Sequence, residues 1–221
     1  MESTHDFLSL LSPEDRAAVE TSGHRRRYGR GSVILSSGDD SSSVLIVLEG
    51  RVKIARPSFE GHESVLAFCG PGDLVGDLGA LDGHERSSDV AALEPVVTLA
   101  LGGGEFRRLL KDRPGVAKAL LTVLAERLRA AGRERADFGS YSVTGRVARR
   151  LVDLCEGYGT VTDGGVEIAL PLTQEELAGW TGASREAVSK ALGTLRRLGW
   201  VETNRRGLVV TDIEALRAYA E

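Results

Sequence analysis

Short apolar runs separated by turn residues occupy positions 25–101 of the chain. The runs are rich in β-branched and aliphatic residues, and glycine-containing turns such as Gly70-Pro71-Gly72-Asp73 stand between them. This pattern predicts a roll or sandwich of short strands rather than alternating βαβ units. The predicted strands cover residues 32–35, 44–48, 52–55, 64–68, 89–92 and 96–101. Ahead of them, Ser12-Pro13-Glu14 predicts the start of a short helix.

A long helical pattern follows the predicted strands. A first segment covers about residues 104–111, and Pro114 opens a second, longer helix that we expect to end near Phe138. Its apolar positions alternate in steps of three and four residues, which is the spacing of a heptad seam. The pattern predicts a helix that pairs with a second copy; the alternative is a helix packed on its own domain. The seam consists of Ala117, Leu121, Leu124, Leu128, Ala131, Arg135 and Phe138, and residues such as Arg127 are assigned to the polar faces.

The last third of the chain reads as a small, mainly helical domain. A helix is predicted over residues 143–156, followed by an exposed glycine-rich loop over 157–165, a short strand over 166–169, two helices and a hairpin. The predicted fold class is therefore α+β, in three parts. Residues 1–111 form a β-roll sensor domain, 112–138 a dimerisation helix and 139–221 a winged helix-turn-helix domain.

Composition narrows the functional classes. The chain has 221 residues, a net charge of −4 and no apolar run of the roughly 20 residues that a membrane helix needs. Its N-terminus does not resemble a signal peptide, so we expect a cytoplasmic protein without a membrane partner. Cys69 and Cys155 are expected to be buried thiols, too few for an iron–sulfur cluster. The four histidines lack metal-ligand spacing, and no nucleophile–base pair or phosphate-binding loop of the Walker type occurs. We therefore expect neither an enzyme, nor a metal site, nor a fixed cofactor.

The most specific motif lies at residues 172–192. Thr173, with Glu176 three residues later, predicts a capping box, Gly182 suits a tight turn, and Ser184 caps a second helix. The outer face of that helix is polar and matches the chemistry of base edges, although an ordinary solvated surface helix is the alternative. A following hairpin would carry two arginines suited to phosphates. The predicted DNA-binding residues are Thr173, Gln174, Ser184, Arg185, Glu186, Ser189, Lys190, Arg205 and Arg206.

A second motif, at residues 76–88, suits an anionic ligand. Backbone amides at a turn or helix start, one arginine and two hydroxyls could together bind a phosphate, with the two hydroxyls expected on the next strand. The alternative is an ordinary surface hairpin. The predicted ligand-binding residues are Gly76, Asp77, Leu78, Arg86, Ser87 and Ser88.

These motifs resemble the cyclic AMP receptor protein and fumarate–nitrate regulator (CRP/FNR) family over nearly the whole chain. The resemblance rests on residues 183–190, on Val-Thr-Gly-Arg-Val-Ala at 143–148, and on the cassette at 76–88. It implies a jelly-roll-like cyclic-nucleotide-binding domain and a homodimer that binds palindromic double-stranded DNA and recruits or blocks RNA polymerase. Arg185 and Glu186 match two base-reading positions of the family, whereas Lys190 stands where a second arginine is frequent.

The resemblance implies cyclic AMP as the leading effector, with three departures. Asp77 replaces the glutamate that holds the ribose 2′-hydroxyl in the family. Ala131 and Gly132 replace the threonine and serine or asparagine that meet the base. A different nucleotide-like anion therefore stays open, as does a ligand-independent family member whose roll only supports dimerisation. A third possibility is a cyclic-nucleotide-binding regulatory subunit for a partner protein.

Overall fold

The structure is a computed structural model that describes residues 6–40, 42–57, 63–168, 170, 172–204 and 207–220. Backbone contacts divide the chain into two compact units. The N-terminal unit is dominated by residues up to Arg129, and the C-terminal unit includes Ala130–Glu221. The point of division lies inside one long helix. The sequence-based domain limits at residues 111 and 138 stay a prediction.

The N-terminal unit contains two four-stranded antiparallel sheets, with strand orders β1-β8-β3-β6 and β2-β7-β4-β5. All six predicted strands are present, and their ends differ from the prediction by at most two residues. The elements up to the second sheet's last strand are α1 (Pro13–Ser22), β1 (His24–Tyr28), β2 (Val33–Leu35), β3 (Ser43–Glu49), β4 (Val52–Pro57), β5 (Glu63–Cys69), β6 (Leu74–Val75), α2 (Asp77–Asp82), β7 (Asp89–Ala92) and β8 (Val96–Gly102).

Strand β3 forms the centre of this unit because both of its faces are buried. Val44 and Ile46 join a core with Phe106 and Val123, whereas Leu45 and Val47 join a second core that includes Cys69. A strand buried on both faces reads as a continuous apolar run, as residues 44–48 do. Cys69 is a free, buried thiol whose pKa is raised by burial, as expected from the sequence; Cys155 is also buried and free.

Three short elements of this unit were missed by the sequence analysis. Strand β1 contains three consecutive exposed arginines, Arg25, Arg26 and Arg27, instead of an alternating pattern. It pairs only with β8 at the edge of its sheet, where charged side chains discourage pairing with other chains. Strand β6 has two residues, and α2 has six, which is too short for a periodic signal.

Helices α3 (Gly103–Asp112) and α4 (Pro114–Ser140) follow the sheets. Helix α4 begins at the predicted proline and continues two residues beyond the predicted end at Phe138. Val116, Leu120 and Val123 pack into the core of the N-terminal unit. Leu121 and Leu128 are 66% and 75% exposed in the single chain. Leu124, also a residue of the predicted seam, packs against that core. The helix therefore packs on its own unit through one face, and of the leucines in the predicted seam it leaves Leu121 and Leu128 exposed.

The C-terminal unit has a four-stranded antiparallel sheet of order β11-β12-β10-β9 and four helices within the described part of the chain. The loop predicted over residues 157–165 was wrong, because strands β9 and β10 form a hairpin there. Thr160, Val161 and Thr162 favour extended backbone, and of the four glycines only Gly164 and Gly165 lie at the turn. The elements are α5 (Val143–Tyr158), β9 (Gly159–Thr162), β10 (Gly165–Ile168), α6 (Gln174–Thr181), α7 (Arg185–Arg197), β11 (Val201–Asn204), β12 (Gly207–Val210) and α8 (Ile213–Tyr219).

Helix α8 was also missed. Its N-cap is Asp212, whose carboxylate accepts from the Ala215 N–H at 2.9 Å. Arg217 of α8 forms an ion pair with Glu156 of α5 at 2.7 Å, and Tyr219 packs against Trp200 with 5.6 Å between ring centroids. The helix thus closes the core of the C-terminal unit. Among the described residues, no helix is both long and apolar enough to cross a bilayer.

Candidate functional site

Helices α6 and α7 form the predicted helix-turn-helix. The Thr173 hydroxyl accepts from the Glu176 N–H, and the Glu176 carboxylate accepts from the Thr173 N–H, which completes the capping box. Gly182 has φ 58°, a left-handed conformation that ends α6 and favours glycine. The Ser184 hydroxyl accepts from the Ala187 N–H at 3.2 Å and starts α7. The chain therefore turns between the two helices where the sequence predicted.

Helix α7 has one buried and one exposed face. Its buried face consists of Val188, Ala191, Leu192 and Leu195. The side chains predicted to read bases are all exposed in its first two turns, so the structure brings them together on one surface: Arg185, Glu186, Ser189 and Lys190.

This surface of α7 carries one acidic side chain, Glu186, and two cationic side chains, Arg185 and Lys190. Hydrogen bonds from its own backbone N–H and from the Ser184 hydroxyl lower the pKa of Glu186. Glu186 is therefore a carboxylate at neutral pH, able to accept from a base amino group. Thr173 and Ser184 have hydroxyls already engaged in caps, whereas Gln174, at the start of α6, is half-buried.

The arginines of α5 have structural contacts in the C-terminal unit. Arg146 donates to the carbonyl oxygens of Thr181 and Tyr141 at 2.8 and 2.9 Å, and thereby joins α5 to the end of α6. The guanidinium of Arg150 lies 4.6 Å from the ring centroid of Trp180 in α6. These contacts fix the helix-turn-helix on its scaffold. Arg205 and Arg206, predicted to bind phosphates, lie outside the described residues, between β11 and β12.

The predicted anion cassette surrounds α2 in the N-terminal unit. Arg86 is only 6% exposed. Its Nη1 donates to the Gly76 carbonyl at 2.6 Å, and its Nη2 donates to the Ser43 carbonyl at 2.6 Å. Burial lowers the pKa of Arg86. Ser87 is exposed and Ser88 half-buried, and both precede β7 instead of lying on it, because the strand begins at Asp89.

Asp77 has a partner that the sequence analysis missed. Its carboxylate is 3% exposed and accepts from Nη1 of Arg127 in α4 at 3.1 Å. Arg127 also donates to the Leu74 carbonyl. Burial alone would lower the pKa of Arg127, but Asp77, Cys69 and Asp73 together outweigh this effect and the pKa is raised. The assignment of Arg127 to a polar outer face was wrong. The signal that could have found it is Asp77 itself, because a buried carboxylate needs a cationic partner.

Two positions of α4 at which the family resemblance implies contacts to the base have no polar side chain here. Ala131 and Gly132 are both exposed in the single chain, and a Cβ added to Gly132 would meet no atom within 4 Å. Leu78, on α2 next to Asp77, is 52% exposed. Neither Ala131 nor Gly132 can donate or accept a hydrogen bond through a side chain.

Comparison with known proteins matches both units. The family model described as "Cyclic nucleotide-binding domain" matches residues 25–113, and the model "Crp-like helix-turn-helix domain" matches residues 145–219. A "CRP-like cAMP-activated global transcriptional regulator" of Mycobacterium tuberculosis is 34% identical over 86% of this chain and 84% of its own length. The chain belongs to the CRP/FNR family of transcription regulators.

Other members of the family agree with this assignment. The "Cyclic AMP receptor protein" of Thermus thermophilus is 34% identical over 86% of this chain and 85% of its own length. A solved CRP-family transcriptional regulator from the same species has a TM-score of 0.74 and 27% identity, covering 88% of this chain and 96% of its own. The c-di-GMP-responsive regulator CLP of Xanthomonas campestris has a TM-score of 0.80 at 22% identity, covering 91% of this chain and all of its own, which shows the shared fold alone. The CRP/FNR regulators thus confirm the predicted fold class.

Proposed function

We propose that the protein is a homodimeric, sequence-specific DNA-binding regulator whose N-terminal unit responds to a cyclic nucleotide. The observation that carries the DNA-binding part is the exposed polar surface of α7. Arg185, Glu186 and Lys190 point away from the buried side of that helix and lie in the first two turns, which a recognition helix inserts into the major groove.

The side chains suit particular base edges. Arg185 can donate two hydrogen bonds to guanine O6 and N7, and Glu186 can accept from cytosine N4. Lys190 can donate to a second guanine, but without the planar fork of arginine its preference is less strict. Arg205 and Arg206 would bind phosphates without reading sequence. Ser189 would lie on the same base-facing surface, and Thr173, Gln174 and Ser184 would contact the sugar–phosphate backbone of the DNA.

A homodimer follows from the exposed seam of α4. Leu121 and Leu128 expose apolar surface at the heptad spacing of a paired helix. A two-fold dimer presents two recognition helices to half-sites about 34 Å apart, so the operator would be palindromic. The further partner that we propose is RNA polymerase, on the basis of the family resemblance.

Cyclic AMP is our leading effector, because the curated relatives are named as cyclic AMP-responsive regulators. Arg86 would pair with the cyclic phosphate, Ser87 would add its exposed hydroxyl, and Asp77 would accept from the ribose 2′-hydroxyl. The phosphate would replace the carbonyl oxygens of Gly76 and Ser43 as partner of Arg86. A charge-assisted hydrogen bond to a phosphate is stronger than one to a neutral carbonyl. Because Ala131 and Gly132 offer no polar group to a base, another anionic nucleotide stays an alternative.

DNA binding is tested by fluorescence anisotropy on a library of palindromic half-sites. Arg185→Ala should weaken the preferred site about 5- to 150-fold relative to a mismatched site, which corresponds to about 1–3 kcal/mol of discrimination. Arg196→Ala is the matched control, because Arg196 is exposed at the other end of α7. If Arg185→Ala kept the full preference of the wild-type protein, α7 would not be the recognition helix.

The effector is tested by titration calorimetry with cyclic AMP and cyclic GMP. Ser87→Ala and Arg86→Lys should both weaken binding, and circular dichroism checks that Arg86→Lys folds. Ser87→Ala is informative because the Ser87 side chain is exposed, so that its removal should leave the fold intact. Absence of binding by the wild-type protein would favour a ligand-independent regulator, in which the roll supports only dimerisation.

A further inference from the structure

Three arginines donate to the segment around α2: one from the loop after α2, one from α3 and one from α4. Arg86 donates to the Gly76 carbonyl just before the helix, and Arg127 of α4 pairs with Asp77 in its first turn. Arg107 of α3 donates from Nη1 to the Ala80 carbonyl at 2.6 Å. The six-residue helix is thus held at its beginning by the predicted ligand site and at its far end by α3.

The hydrogen bond from Arg107 is a directional contact in the interface between α2 and α3, which is otherwise apolar. Ala80 and Leu81 of α2 pack in the same core as Phe106 and Leu109 of α3. Apolar contacts are non-directional and tolerate small displacements. A charge-assisted hydrogen bond to one carbonyl requires a particular register, because its energy depends on distance and angle. Arg107 is an exposed residue, and this contact adds one directional restraint on how α2 packs on α3.

Arg107 is separate from the groups that a ligand would engage. Arg86 and Asp77 lie at the start of α2, whereas Ala80 lies toward its end. A ligand bound by Arg86 would displace the Gly76 contact and leave the Ala80 contact intact. Any resulting shift of α2 would then be carried to α3 through Arg107. Helix α3 ends at Asp112 and α4 begins at Pro114, so only Arg113 separates the moved helix from α4.

We propose that Arg107 is a positioning residue that couples ligand binding at the α2 cassette to α3 and, through it, to α4. This inference rests on the proposed function, since it assigns the regulation of that same site. Arg107 itself does not touch the ligand. A purely structural Arg107 would stabilise the N-terminal unit without changing how strongly a ligand alters DNA binding.

The experiment compares Arg107→Gln with Arg108→Gln in the full-length protein. Arg108 is the neighbour of Arg107 on α3, with a 68% exposed side chain paired to Glu105, so it controls for the loss of one charge. The readouts are the dissociation constant of cyclic AMP, the ratio of operator affinities with and without saturating cyclic AMP, and hydrogen exchange of the α2 amides. Arg107→Lys, which keeps a cationic donor, is the conservative variant.

We expect Arg107→Gln to reduce the cyclic AMP-induced gain in operator affinity at least about fivefold, the lower end of usual coupling energies. The dissociation constant of cyclic AMP should change by less than this factor, exchange of the α2 amides should become faster, and Arg107→Lys should recover part of the gain. Arg108→Gln should retain all wild-type values. A gain in Arg107→Gln equal to that of the wild type would overturn the proposal.

If the proposed response to cyclic AMP is wrong, the same measurements give a different pattern from the one expected when only the coupling role of Arg107 is wrong. In that case the wild-type protein itself shows no gain in operator affinity with cyclic AMP, whatever residue stands at 107. That result would rule out both cyclic AMP as the effector and the coupling role of Arg107. Faster hydrogen exchange of the α2 amides in Arg107→Gln would still identify the Ala80 contact as a structural one. A wild-type gain that persists undiminished in Arg107→Gln removes the coupling role alone.

Discussion

Of the arginines that contact the α2 segment, Arg127 and Arg86 have their positive charges balanced by different groups. Arg127 faces a carboxylate, Asp77, so that its positive charge is neutralised and its pKa is raised. Arg86 faces carbonyl oxygens of Gly76 and Ser43, which satisfy its N–H groups but carry no net charge. The carboxylates of Asp39 and Asp77 also act on Arg86 electrostatically, but its guanidinium donates to neutral carbonyl oxygens that a phosphate can replace. Of the two, Arg86 is therefore the residue suited to a phosphate.

The backbone of Gly76 is adapted to Arg86. Gly76 has φ 72°, and a Cβ added there would lie 2.5 Å from Arg86 Nη1 and 2.8 Å from a methyl of Leu35. We expect Gly76→Ala to lower the free energy of unfolding by more than the about 1–2 kcal/mol that left-handed backbone costs an L-residue. Urea denaturation measures this loss, and titration with cyclic AMP should show weaker binding because Arg86 is displaced.

Gly83→Ala is the matched control for Gly76→Ala. Gly83 has nearly the same conformation, φ 77°, but a Cβ there would meet no atom within 4 Å. It should show the backbone cost alone. Equal losses in the two variants would mean that Arg86 and Leu35 move aside without cost, contrary to the packing described above.

The buried ion pair allows a second prediction at this scale. Removing either partner leaves a buried charge unpaired, which typically costs about 3–5 kcal/mol. We expect Asp77→Asn and Arg127→Gln each to lose stability on that order, and the double variant to lose much less than the sum. Thermal and urea unfolding of all four proteins form the double-mutant cycle. The exposed Arg16–Glu20 pair of α1 is the control, where Glu20→Gln should cost only about 0.5 kcal/mol. Additive losses at Asp77 and Arg127 would argue against a direct pair.

At the scale of elements, α4 serves two different surfaces. Residues such as Val116 and Val123 fill the core of the N-terminal unit, while Leu121 and Leu128 project elsewhere along the same helix. Large apolar side chains that are exposed at heptad spacing are stabilised when a second helix covers them. The helix therefore combines an intramolecular face with the face on which we propose dimerisation.

The proposed dimer face is tested with paired substitutions. Leu121→Glu together with Leu128→Glu should give a monomer by sedimentation velocity, because four carboxylates would be buried in the seam of each dimer. A monomer should also lose most of its preference for a palindrome over a single half-site. Thr122→Glu, on the neighbouring face of α4, adds a charge outside the seam and should remain dimeric. A dimeric double variant would place the interface elsewhere.

The sequence predicted the elements whose signals are local. Caps at Ser12, Thr173 and Ser184 lie where they were expected, since a capping side chain and the N–H group that donates to it are close in sequence. The hairpin of β9 and β10 was missed although its pairing is local, with Gly165 opposite Thr162, because its glycines were interpreted as a loop. Strand β1 and helix α8 were missed because their formation depends on pairing with the distant strand β8 or on packing against α5. Arg127 was misassigned for the same reason: its partner, Asp77, lies 50 residues away.

At the scale of the whole molecule, each unit has its own core and α4 runs through the point where the chain divides. Helix α4 is continuous through this point, so a change in its order could carry a signal from the cassette along the chain. A ligand changes the equilibrium between two arrangements only by its differential affinity for them. The order of α4 near residue 130 is one quantity on which that equilibrium can depend.

A substitution at Gly132 tests whether DNA binding depends on the order of α4 near residue 130. Glycine inside a helix costs about 1 kcal/mol relative to alanine, and the site has open space for a methyl group. Gly132→Ala should stabilise the helical form of α4, and if DNA binding requires that form, operator affinity without cyclic AMP should rise by up to about fivefold. The gain that cyclic AMP still produces should fall correspondingly, because part of the ordering is already present. Gly104→Ala in α3, which also has open space around its Cβ, controls for helix propensity outside α4. A Gly132→Ala protein that is more stable but has an unchanged ligand response would show that the order of α4 does not limit DNA binding.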